Sequence, residues 1–332
     1  MPKLSPTPWF HDEALRRILL TIQQGGGEAR IVGGAVRDAL LGREVKEIDL
    51  AVNLPPEKTS EILKAATIKV KPTGIEHGTV MAILDGRGYE ITTLRHDLET
   101  DGRHAKVAFT DDWQVDAARR DFTINAIYAD ADGNFYDYFG GRDDITAGRV
   151  RFIGDARARI EEDVLRILRF FRFTAWFAKG DADTDGFAAC RELAYLIPNL
   201  SIERVWREII KLLAADNPAP MWQAMLDCGV LKQVLPEAAN ITRLHNLLGV
   251  EKKAEATVAP LVRFAALLPD DVGQITKMTQ RLKCSKREAE KLVVVITITP
   301  QLYGKLDPVP LRRALYAYGI DNIRDALLLL AA

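Results

Sequence analysis

The stretch RIVGGAVRDALLGREVKEIDLAVN, residues 30–53, decides the fold of the first part of the chain. Its apolar start, which ends in Gly33 and Gly34, predicts a strand followed by a tight turn. The segment AVRDALLG predicts a short helix that ends at Gly42, and EIDLAV predicts a second strand. Strand, turn, helix and strand in this order indicate a region that mixes strands and helices.

The second predicted strand carries two carboxylates, Glu47 and Asp49, which are two residues apart and therefore expected on one face of a sheet. Close carboxylates repel each other, and burying them without compensation is unfavourable. A divalent cation removes this conflict, and Mg²⁺ favours one or two carboxylates together with substrate phosphates. We therefore predict Glu47 and Asp49 as metal ligands. Glu90, on the second strand of a neighbouring predicted hairpin, is expected to add a third catalytic carboxylate.

The glycine turn has the character of a phosphate-binding site. Gly33 and Gly34 allow backbone amides to approach a phosphate closely, and Arg37, one turn into the helix, can reach a triphosphate oxygen. The third glycine of a dinucleotide fingerprint is missing, and no G-K-[ST] of a P-loop follows. A Gly-Gly pair alone usually marks a turn, and an E-x-D pair usually marks two surface charges. Together with Arg37 they suggest metal-assisted phosphoryl or nucleotidyl transfer.

Composition limits the class of protein. The 332 residues are 48% hydrophobic and 27% charged, an ordinary globular composition, with a net charge of −1. Any nucleic-acid binding must therefore come from local basic patches. Three distant cysteines fit neither a disulfide framework nor a zinc cluster, and the N-terminus lacks a secretion signal. We expect a cytoplasmic protein with no membrane partner.

The pattern along the chain changes at about residue 155, from mixed elements to helical periodicity. Before that point, GTVMAIL and YEITTLR predict a hairpin that turns at Asp85-Gly86, and FTINAIYADADGNFYDYFGG predicts another. The polar segment HDLETDGRHAKVAFTDDW between them is predicted to be a mobile loop. Beyond residue 155, the segment RARIEEDVLRILRFFRFTAWF predicts one helix, and Ser201 is an N-cap candidate for the next helix. The run from Lys277 to Lys291, with six basic and two acidic residues, favours a solvated helix face over an RNA-contacting patch.

Three segments together carry a family resemblance. GGAVRDALLGREVKEIDLA resembles the signature of class II tRNA nucleotidyltransferases, the CCA-adding enzymes, and of their bacterial poly(A) polymerase relatives. RRDFTINAIY and EEDVLRILRFFRF are similar to the second and third family motifs, and SIERVWREIIKLL to the helix that follows. The resemblance implies an α+β fold, with a polymerase-beta-type nucleotidyltransferase head of a small mixed sheet and helices, followed by an all-helical neck, body and tail. The implied domains are a catalytic head at 1–150, a base-recognition neck at 151–215 and a tRNA-binding body and tail at 216–332.

The resemblance also implies residue roles. Asp49 and Glu90 match catalytic carboxylates of the family, whose strand carboxylates hold two Mg²⁺ ions. The residues that match nucleotide-binding positions, in addition to Gly33 of the turn, are Gly34, Arg37, Arg120, Asp163, Arg166, Arg169 and Arg172. Asp163 and Arg166 are expected to read the base, because their acceptor and donor groups fit C and A and disfavour U and G. In a continuous helix Arg172 lies nearly opposite Asp163, which predicts a phosphate or structural role for Arg172.

One position departs from the family pattern, because Glu47 replaces the first aspartate of D-x-D. Glutamate keeps the charge but extends the carboxylate by about 1.5 Å, and Mg²⁺ requires near-octahedral geometry at about 2.0–2.1 Å. Three alternatives follow from this substitution: the backbone adjusts and the enzyme is active, the enzyme is slow or prefers Mn²⁺, or the site is crippled.

The expected function is template-independent addition of CCA to the 3′ end of tRNA, with CTP and ATP as substrates and Mg²⁺, or Mn²⁺, as the metal. The expected partners are tRNA and nucleoside triphosphates, and no DNA. Poly(A) addition and partial addition of CC or A alone are the nearest alternatives, since those enzymes share nearly all these motifs. A non-catalytic RNA-binding homologue is a further alternative, which would bind tRNA with salt-dependent affinity and incorporate no nucleotide.

Overall fold

The computed structural model describes residues 8–100, 105–180, 183–304 and 306–332. Within this part of the chain, two compact units are present. The first is Met1–Asp163 with Lys179–Gly186, and the second is Val164–Ala178 with Phe187–Ala332. The first unit extends past residue 150, where the sequence predicts the end of the head. Among the described residues, no helix combines the length and the apolar character that a membrane crossing needs.

The strands of the described residues all lie in the first unit. Their bounds are β1 Ala29–Val32, β2 Asp49–Val52, β3 Lys69–Gly74, β4 Thr79–Leu84, β5 Arg87–Thr93, β6 Arg95–Thr100, β7 Ala105–Phe109, β8 Ile127–Ala129 and β9 Phe135–Asp137. Seven of them form one sheet in the order β3-β4-β5-β2-β1-β8-β9, and β6 pairs with β7 in a separate ribbon. The β2–β5 pair is parallel and the other pairs are antiparallel, so the sheet is mixed, as expected.

Helices cover this sheet and make up most of the chain after it. The bounds up to residue 177 are α1 Glu13–Gln24, α2 Gly34–Leu40, α3 Pro56–Ala65, α4 Trp113–Ala118, α5 Gly141–Ala147, α6 Ala156–Glu162 and α7 Leu165–Phe177. Those that follow are α8 Thr184–Leu193, α9 Ile202–Leu213, α10 Ala219–Asp227, α11 Val230–Val234, α12 Ile241–Lys253, α13 Pro260–Leu267, α14 Val272–Arg281, α15 Lys286–Ile298, α16 Pro308–Tyr318 and α17 Ile320–Leu330. Short 3₁₀ helices span Pro8–His11, Ile75–His77, Thr123–Asn125, Ala194–Asn199 and Pro300–Leu302. The expected change to helical structure is confirmed.

The central strand β2 is buried on both faces of the sheet. Leu50 and Val52 pack into an apolar core that includes residues of α1 and α3. Ala51, between them, packs into a second cluster on the other face with Trp113 and Tyr128. This arrangement explains why DLAV is almost entirely apolar, and why a charged residue such as Asp49 is placed only at the end of the strand.

The predicted hairpin at Asp85-Gly86 is confirmed. Leu84 pairs with Arg87, so the loop has two residues, and Asp85 and Gly86 have φ angles of 51° and 77°. Positive φ at both positions is the type I′ geometry that matches the twist of the flanking strands. This turn sets the register of β5. The second predicted hairpin, β8–β9, is also confirmed, with Gly133 at φ 79° in its loop.

The loop predicted between these hairpins is wrong for residues 96–100 and 105–109, because they form the β6–β7 ribbon. The ribbon is antiparallel, with Arg95 opposite Phe109 and His96 opposite Ala108. Pairing satisfies the backbone groups of a segment whose polar side chains give no apolar alternation, and the sequence pattern therefore resembled that of a loop. The ribbon contacts the sheet at its base, where a Cβ added at Gly78 would come within 2.7 Å of Phe109 Cε1. Residues 101–104 lie outside the described part.

The single helix predicted over RARIEEDVLRILRFFRFTAWF is also wrong. Helix α6 ends at Glu162, Asp163 has extended backbone angles (φ −147°, ψ 102°), and α7 begins at Leu165. Asp163 and Arg166 are therefore not neighbours on one continuous helix, and the angular argument that placed Arg172 opposite Asp163 does not apply. Apolar periodicity continued through the break, so it gave no signal of it.

The basic run between Lys277 and Lys291 is a solvated face with acidic partners. Arg281 pairs with Glu237 at 2.8 Å, and Lys283 pairs with Glu203 at 2.7 Å. Lys291 pairs with Asp325 at 2.5 Å. These ion pairs support the surface interpretation over an RNA-contacting patch.

Candidate active site

Asp49 and Glu90 lie side by side on adjacent parallel strands. Asp49 of β2 is the register partner of Glu90 of β5, so both side chains project from the same face of the sheet. The position of Glu90 depended on the register of the predicted hairpin, and this register is as expected. The first strand residue of β2 and a residue in the middle of β5 thus bring two carboxylates together.

Glu47 lies outside the strand that was predicted to carry it. Strand β2 begins at Asp49, because its antiparallel partner β1 ends at Val32 and the chain then turns at Gly33, leaving no backbone partner for Glu47. The prediction that Glu47 and Asp49 share a strand face is therefore wrong. Glu47 is exposed in the irregular segment before β2, and it lines, with Asp49 and Glu90, a cavity of about 1110 Å³.

The three carboxylates form a negative centre that Arg120 compensates only in part. The pKa of Asp49 is raised above its ordinary value, first by desolvation and then by repulsion from Glu90 and Glu47, while Arg120 lowers it. A divalent cation would remove this repulsion. The described residues contain no group of three His, Cys, Asp or Glu side chains arranged to hold a metal ion on their own. Asp49 and Glu90, paired on one face of the sheet, fit a metal bound by one or two carboxylates and completed by substrate, which is the preference of Mg²⁺.

The glycine turn borders the carboxylates on the β1 side. Gly33 has φ 72° and ψ −124°, a conformation that L side chains rarely adopt, and it is followed at once by α2. A Cβ added at Gly33 would lie 3.6 Å from Arg120 Nη1, and one added at Gly34 would lie 3.6 Å from Arg37 Nη2. Two guanidinium groups therefore border the turn in which backbone amides are expected to meet phosphate.

Arg120 is held in this position by Asp116 and Tyr128. Its Nη2 donates to Asp116 Oδ2 at 3.1 Å and its Nε to the Tyr128 hydroxyl at 3.2 Å, while that hydroxyl donates to Asp116 Oδ2 at 2.7 Å. Burial acts to lower the pKa of Arg120, but Tyr128 and Asp116 outweigh it and raise that pKa. Arg120 is therefore a fixed positive charge.

Arg37 is almost entirely buried and has its own partners. Its Nη1 donates to Asn125 Oδ1 at 2.6 Å, and its Nε donates to Asp38 Oδ1 at 2.9 Å. Asn125 Nδ2 in turn donates to Asp121 Oδ1 at 3.0 Å. The Arg37 guanidinium, which lies on α2, is thus oriented by Asn125 and Asp121 of the RRDFTIN segment.

The remaining nucleotide-binding candidates divide between the two units. Asp163 ends the first unit, and the three arginines lie on α7 of the second. Arg166 is buried. Arg169 lies over the Phe173 ring at 5.2 Å, and Arg172 lies over the same ring at 4.0 Å.

The Nε of Arg172 also donates to the buried carboxylate of Glu208 at 2.5 Å. This contact supports a structural role for Arg172, one of the two roles expected for it.

Three residues of this region were not found from the sequence: Asp116, Asn125 and Tyr128. A signal was available for each of them. Asp116 precedes Arg120 by four residues, the spacing of a helical ion pair, and the other two belong to the RRDFTINAIY motif. An arginine that is removed from solvent needs hydrogen-bond acceptors, and these three side chains supply them to Arg37 and Arg120.

Comparisons with known proteins agree with this geometry. The model of the Poly A polymerase head domain matches residues 29–151, and that of the probable RNA and SrmB-binding site of polymerase A matches residues 183–242. A CCA-adding enzyme of Streptococcus sanguinis is 35% identical over 330 residues, which cover 98% of this chain and 79% of that protein. The chain belongs to the family of CCA-adding tRNA nucleotidyltransferases.

Other CCA-adding enzymes extend the similarity to vertebrates and to solved structures. The mitochondrial CCA tRNA nucleotidyltransferase 1 of Mus musculus is 40% identical over 83% of this chain. The chain spans 64% of the length of that relative. The CCA-adding enzyme of Bacillus stearothermophilus, solved in complex with CTP, has a TM-score of 0.81 and 29% identity, covering 98% of this chain and 78% of that chain. The fold expected of the family, a mixed-sheet head followed by helices, is confirmed.

Proposed function

We propose that this chain adds CCA to the 3′ end of tRNA, with CTP and ATP as substrates. The observation that supports this most is the pairing of Asp49 with Glu90 on one sheet face, beside a glycine turn bordered by Arg37 and Arg120. Family membership supports the reaction, and the geometry of these residues is consistent with it. tRNA and nucleoside triphosphates are the proposed partners, and residence in the cytoplasm is part of the same proposal.

The residues have separate tasks in this mechanism. Backbone amides at Gly33 and Gly34, together with Arg37 and Arg120, bind and orient the triphosphate. Asp49, with Glu47 from the adjoining segment, would hold Mg²⁺, and Glu90 is the third catalytic carboxylate beside them. When bound, Mg²⁺ promotes attack by a ribose hydroxyl and stabilises the pyrophosphate leaving group.

Attack of the terminal hydroxyl oxygen of the RNA on the α-phosphorus forms one P–O bond, breaks the bond to pyrophosphate and releases one proton.

Base selection is proposed for Asp163 and Arg166. Asp163 can accept from an exocyclic amine and Arg166 can donate, so the pair offers complementary groups to C and to A. Asp163 lies in an extended segment and not in a helix, so helical i, i+3 spacing does not set the position of its side chain relative to Arg166. Arg169 and Arg172 are assigned to supporting α7, the helix that carries Arg166. The division of labour among head, neck and body at residues 150 and 215 is part of this proposal.

The test is a gel assay with a tRNA transcript that ends at its discriminator base. The transcript is incubated with labelled CTP, ATP or both, and with Mg²⁺ or Mn²⁺. We expect growth by three nucleotides when both substrates are present. Growth with ATP alone, on this transcript and on unrelated RNAs, would instead identify a poly(A) polymerase.

Glu47 is tested in the same assay through Glu47→Asp. Because Glu47 lies outside the strand, its backbone is not fixed by the ladder and can absorb one methylene. We expect activity with Mg²⁺ in the wild type, changed less than about tenfold by Glu47→Asp, whereas a fixed ligand misplaced by 1 Å can lose about 100-fold. Absence of growth in the wild type with recovery in Glu47→Asp would show that the glutamate cripples the site. Absence of growth in both proteins would contradict the proposed function.

A further inference from the structure

A buried amide links two opposite charges next to the proposed triphosphate site. Arg37 of α2 and Asp121 of the RRDFTIN segment are both buried, as is Asn125 between them. Asn125 Oδ1 accepts from Arg37 Nη1 at 2.6 Å, and Asn125 Nδ2 donates to Asp121 Oδ1 at 3.0 Å. The oxygen of Asp121 also accepts from the Phe122 amide at 2.8 Å, which fixes the far end of the chain of bonds.

An amide fits between these two groups without a change of protonation. A guanidinium can only donate hydrogen bonds and an ionised carboxylate can only accept them, so the linking side chain must accept at one end and donate at the other. This requirement also determines which end of the Asn125 amide faces Arg37. Leaving either buried group without its partner is unfavourable by more than the net value of one hydrogen bond.

The neutrality of the link is relevant to the chemistry. Arg37 already pairs with Asp38, whose Oδ1 lies 2.9 Å from both Nε and Nη2. A second carboxylate in direct contact with Arg37 would compete with a triphosphate for the charge and the donors of its guanidinium. A neutral amide orients the guanidinium without that penalty, and Asp121 acts through it at one remove.

We propose that Asn125, anchored by Asp121, is a positioning residue that orients the Arg37 guanidinium toward the phosphates of the incoming nucleotide. Its amide sets the direction of Arg37 Nη1, and Arg37 Nη2 then lies beside Gly34 at the start of α2. This inference rests on the proposed function, since it assumes that a nucleoside triphosphate binds at the turn.

The first measurement is equilibrium binding of α,β-methylene-ATP with Mg²⁺, in the absence of tRNA. We expect Asn125→Ala to weaken binding by about tenfold, the loss typical of one hydrogen bond to a charged group. The matched control is Thr123→Val in the same short helix, which removes a buried hydrogen bond to Asp144 of 2.6 Å and does not touch Arg37. We expect the control to lose stability and to bind within about twofold of the wild type.

Asn125→Asp supplies a readout that a merely structural residue would not move. The introduced carboxylate would face Arg37 and Asp38 of α2, Asp121 of its own segment, and Arg120 beyond the glycine turn. The ionised form of the new group would accept from Arg37 but repel Asp121, whereas its protonated form can donate to Asp121 and accept from Arg37 as the amide does. Affinity relative to the wild type should therefore fall as the pH rises and the new group ionises.

The possible outcomes separate the two proposals. If the wild type binds the analogue but extends no tRNA, the proposed function fails and the binding comparison still tests Asn125. If Asn125→Ala and Thr123→Val weaken binding equally, Asn125 only stabilises the fold and the inference is wrong. Binding by Asn125→Ala within twofold of the wild type, or an Asn125→Asp affinity ratio that is independent of pH, would also overturn it. In the tRNA assay, we expect Asn125→Ala to raise KM for the nucleotide more than it lowers kcat.

Discussion

Asp116 is a buried carboxylate that holds two consecutive arginines. It accepts from Arg119 Nε at 2.8 Å, from Arg120 Nη2 at 3.1 Å and from the Tyr128 hydroxyl at 2.7 Å. Desolvation acts to raise its pKa, but the charges of Arg120 and Arg119 outweigh it and lower the pKa from 3.8 to about 2. A lowered folded-state pKa means stabilisation that is complete above the unfolded-state value and is lost as the pH falls from about 4 to about 2.

The first prediction is that Asp116→Asn lowers the free energy of unfolding at pH 7 by about 3 kcal/mol, because Arg119 and Arg120 lose their buried, charged partner. Urea denaturation at pH 7 and near pH 2 measures it. The difference between variant and wild type should shrink at the lower pH, where Asp116 is protonated in the unfolded state and about half protonated in the folded state. A difference that is independent of pH would show that the charge of Asp116 is not responsible. The exposed Asp111→Asn on the same segment serves as the control.

The pKa of Asp49 is shifted in the opposite direction to that of Asp116. Its raised pKa means that the folded state holds the proton more tightly than the unfolded state, so ionisation opposes folding. The penalty is absent below the unfolded-state value of 3.8 and complete above the raised folded-state value. Asp49 is solvent-exposed, so at neutral pH without metal its ionisation opposes folding only weakly.

The second prediction is that Asp49→Asn raises the melting temperature in metal-free buffer at pH 7 and lowers nucleotidyl transfer by at least about 100-fold. The gain in stability should diminish as the pH is lowered toward 4, and Mg²⁺ should stabilise the wild type more than the variant. Thermal unfolding with and without Mg²⁺ at both pH values measures this. A variant that melts below the wild type at pH 7 would contradict the assigned repulsion.

At the scale of single elements, the start of α2 depends on two adjacent glycines in different ways. Gly33 needs its positive φ, whereas Gly34 lies within the helix and has no such requirement. An added Cβ would meet only ordinary contacts at either position, the nearest at 3.6 Å. Backbone strain therefore distinguishes the two positions, and steric overlap does not.

The third prediction compares Gly33→Ala with Gly34→Ala. We expect Gly33→Ala to lower the free energy of unfolding by about 1–3 kcal/mol, since its backbone conformation is strained for alanine. Gly34→Ala should change stability by less than about 1 kcal/mol, because alanine is the better helix former. Both should weaken binding of the nucleotide analogue, because each methyl group occupies the approach to the turn. Equal stability losses in the two variants would contradict this account.

Sequence reasoning worked where local chemistry alone determines an element. The Asp85-Gly86 pair determines a two-residue turn, and counting from it places Glu90 correctly. The predictions were wrong where a neighbouring element determines the outcome. Glu47 is outside β2 because β1 ends at Val32, and the residues around Glu47 give no sign of where β1 ends. The break at Asp163 was missed for a similar reason, since the apolar pattern continues on both sides of it.

At the scale of the whole molecule, a buried arginine of the second unit joins three segments that are distant in sequence. Arg263 of α13 donates Nε to Glu251 Oε2 of α12 at 2.9 Å. Its Nη1 donates to the carbonyl oxygens of Leu213 at 2.8 Å and Ala215 at 2.5 Å, at the end of α9. Carbonyls at a helix C-terminus lack intrahelical partners, so this side chain serves as their cap.

The fourth prediction is that Arg263→Leu lowers the free energy of unfolding by about 3–5 kcal/mol, because it leaves Glu251 buried and unpaired. The double variant Arg263→Leu with Glu251→Leu should be more stable than the single variant, since the uncompensated charge is then removed. Urea denaturation of both single variants and the double variant measures the coupling. Additive losses would show that the two side chains act independently.

Strand β5 presents opposite chemistry on its two sides, with Glu90 directed to the proposed reaction centre and Ile91 to the apolar core. Loss of one codon from the preceding turn would exchange these sides, burying an acid and exposing an isoleucine. Selection should therefore guard the length of this hairpin as strictly as the identity of Glu90, although neither turn residue has a chemical task. Among lineages that descend from this sequence, we expect substitutions at Asp85 to outnumber insertions and deletions beside it.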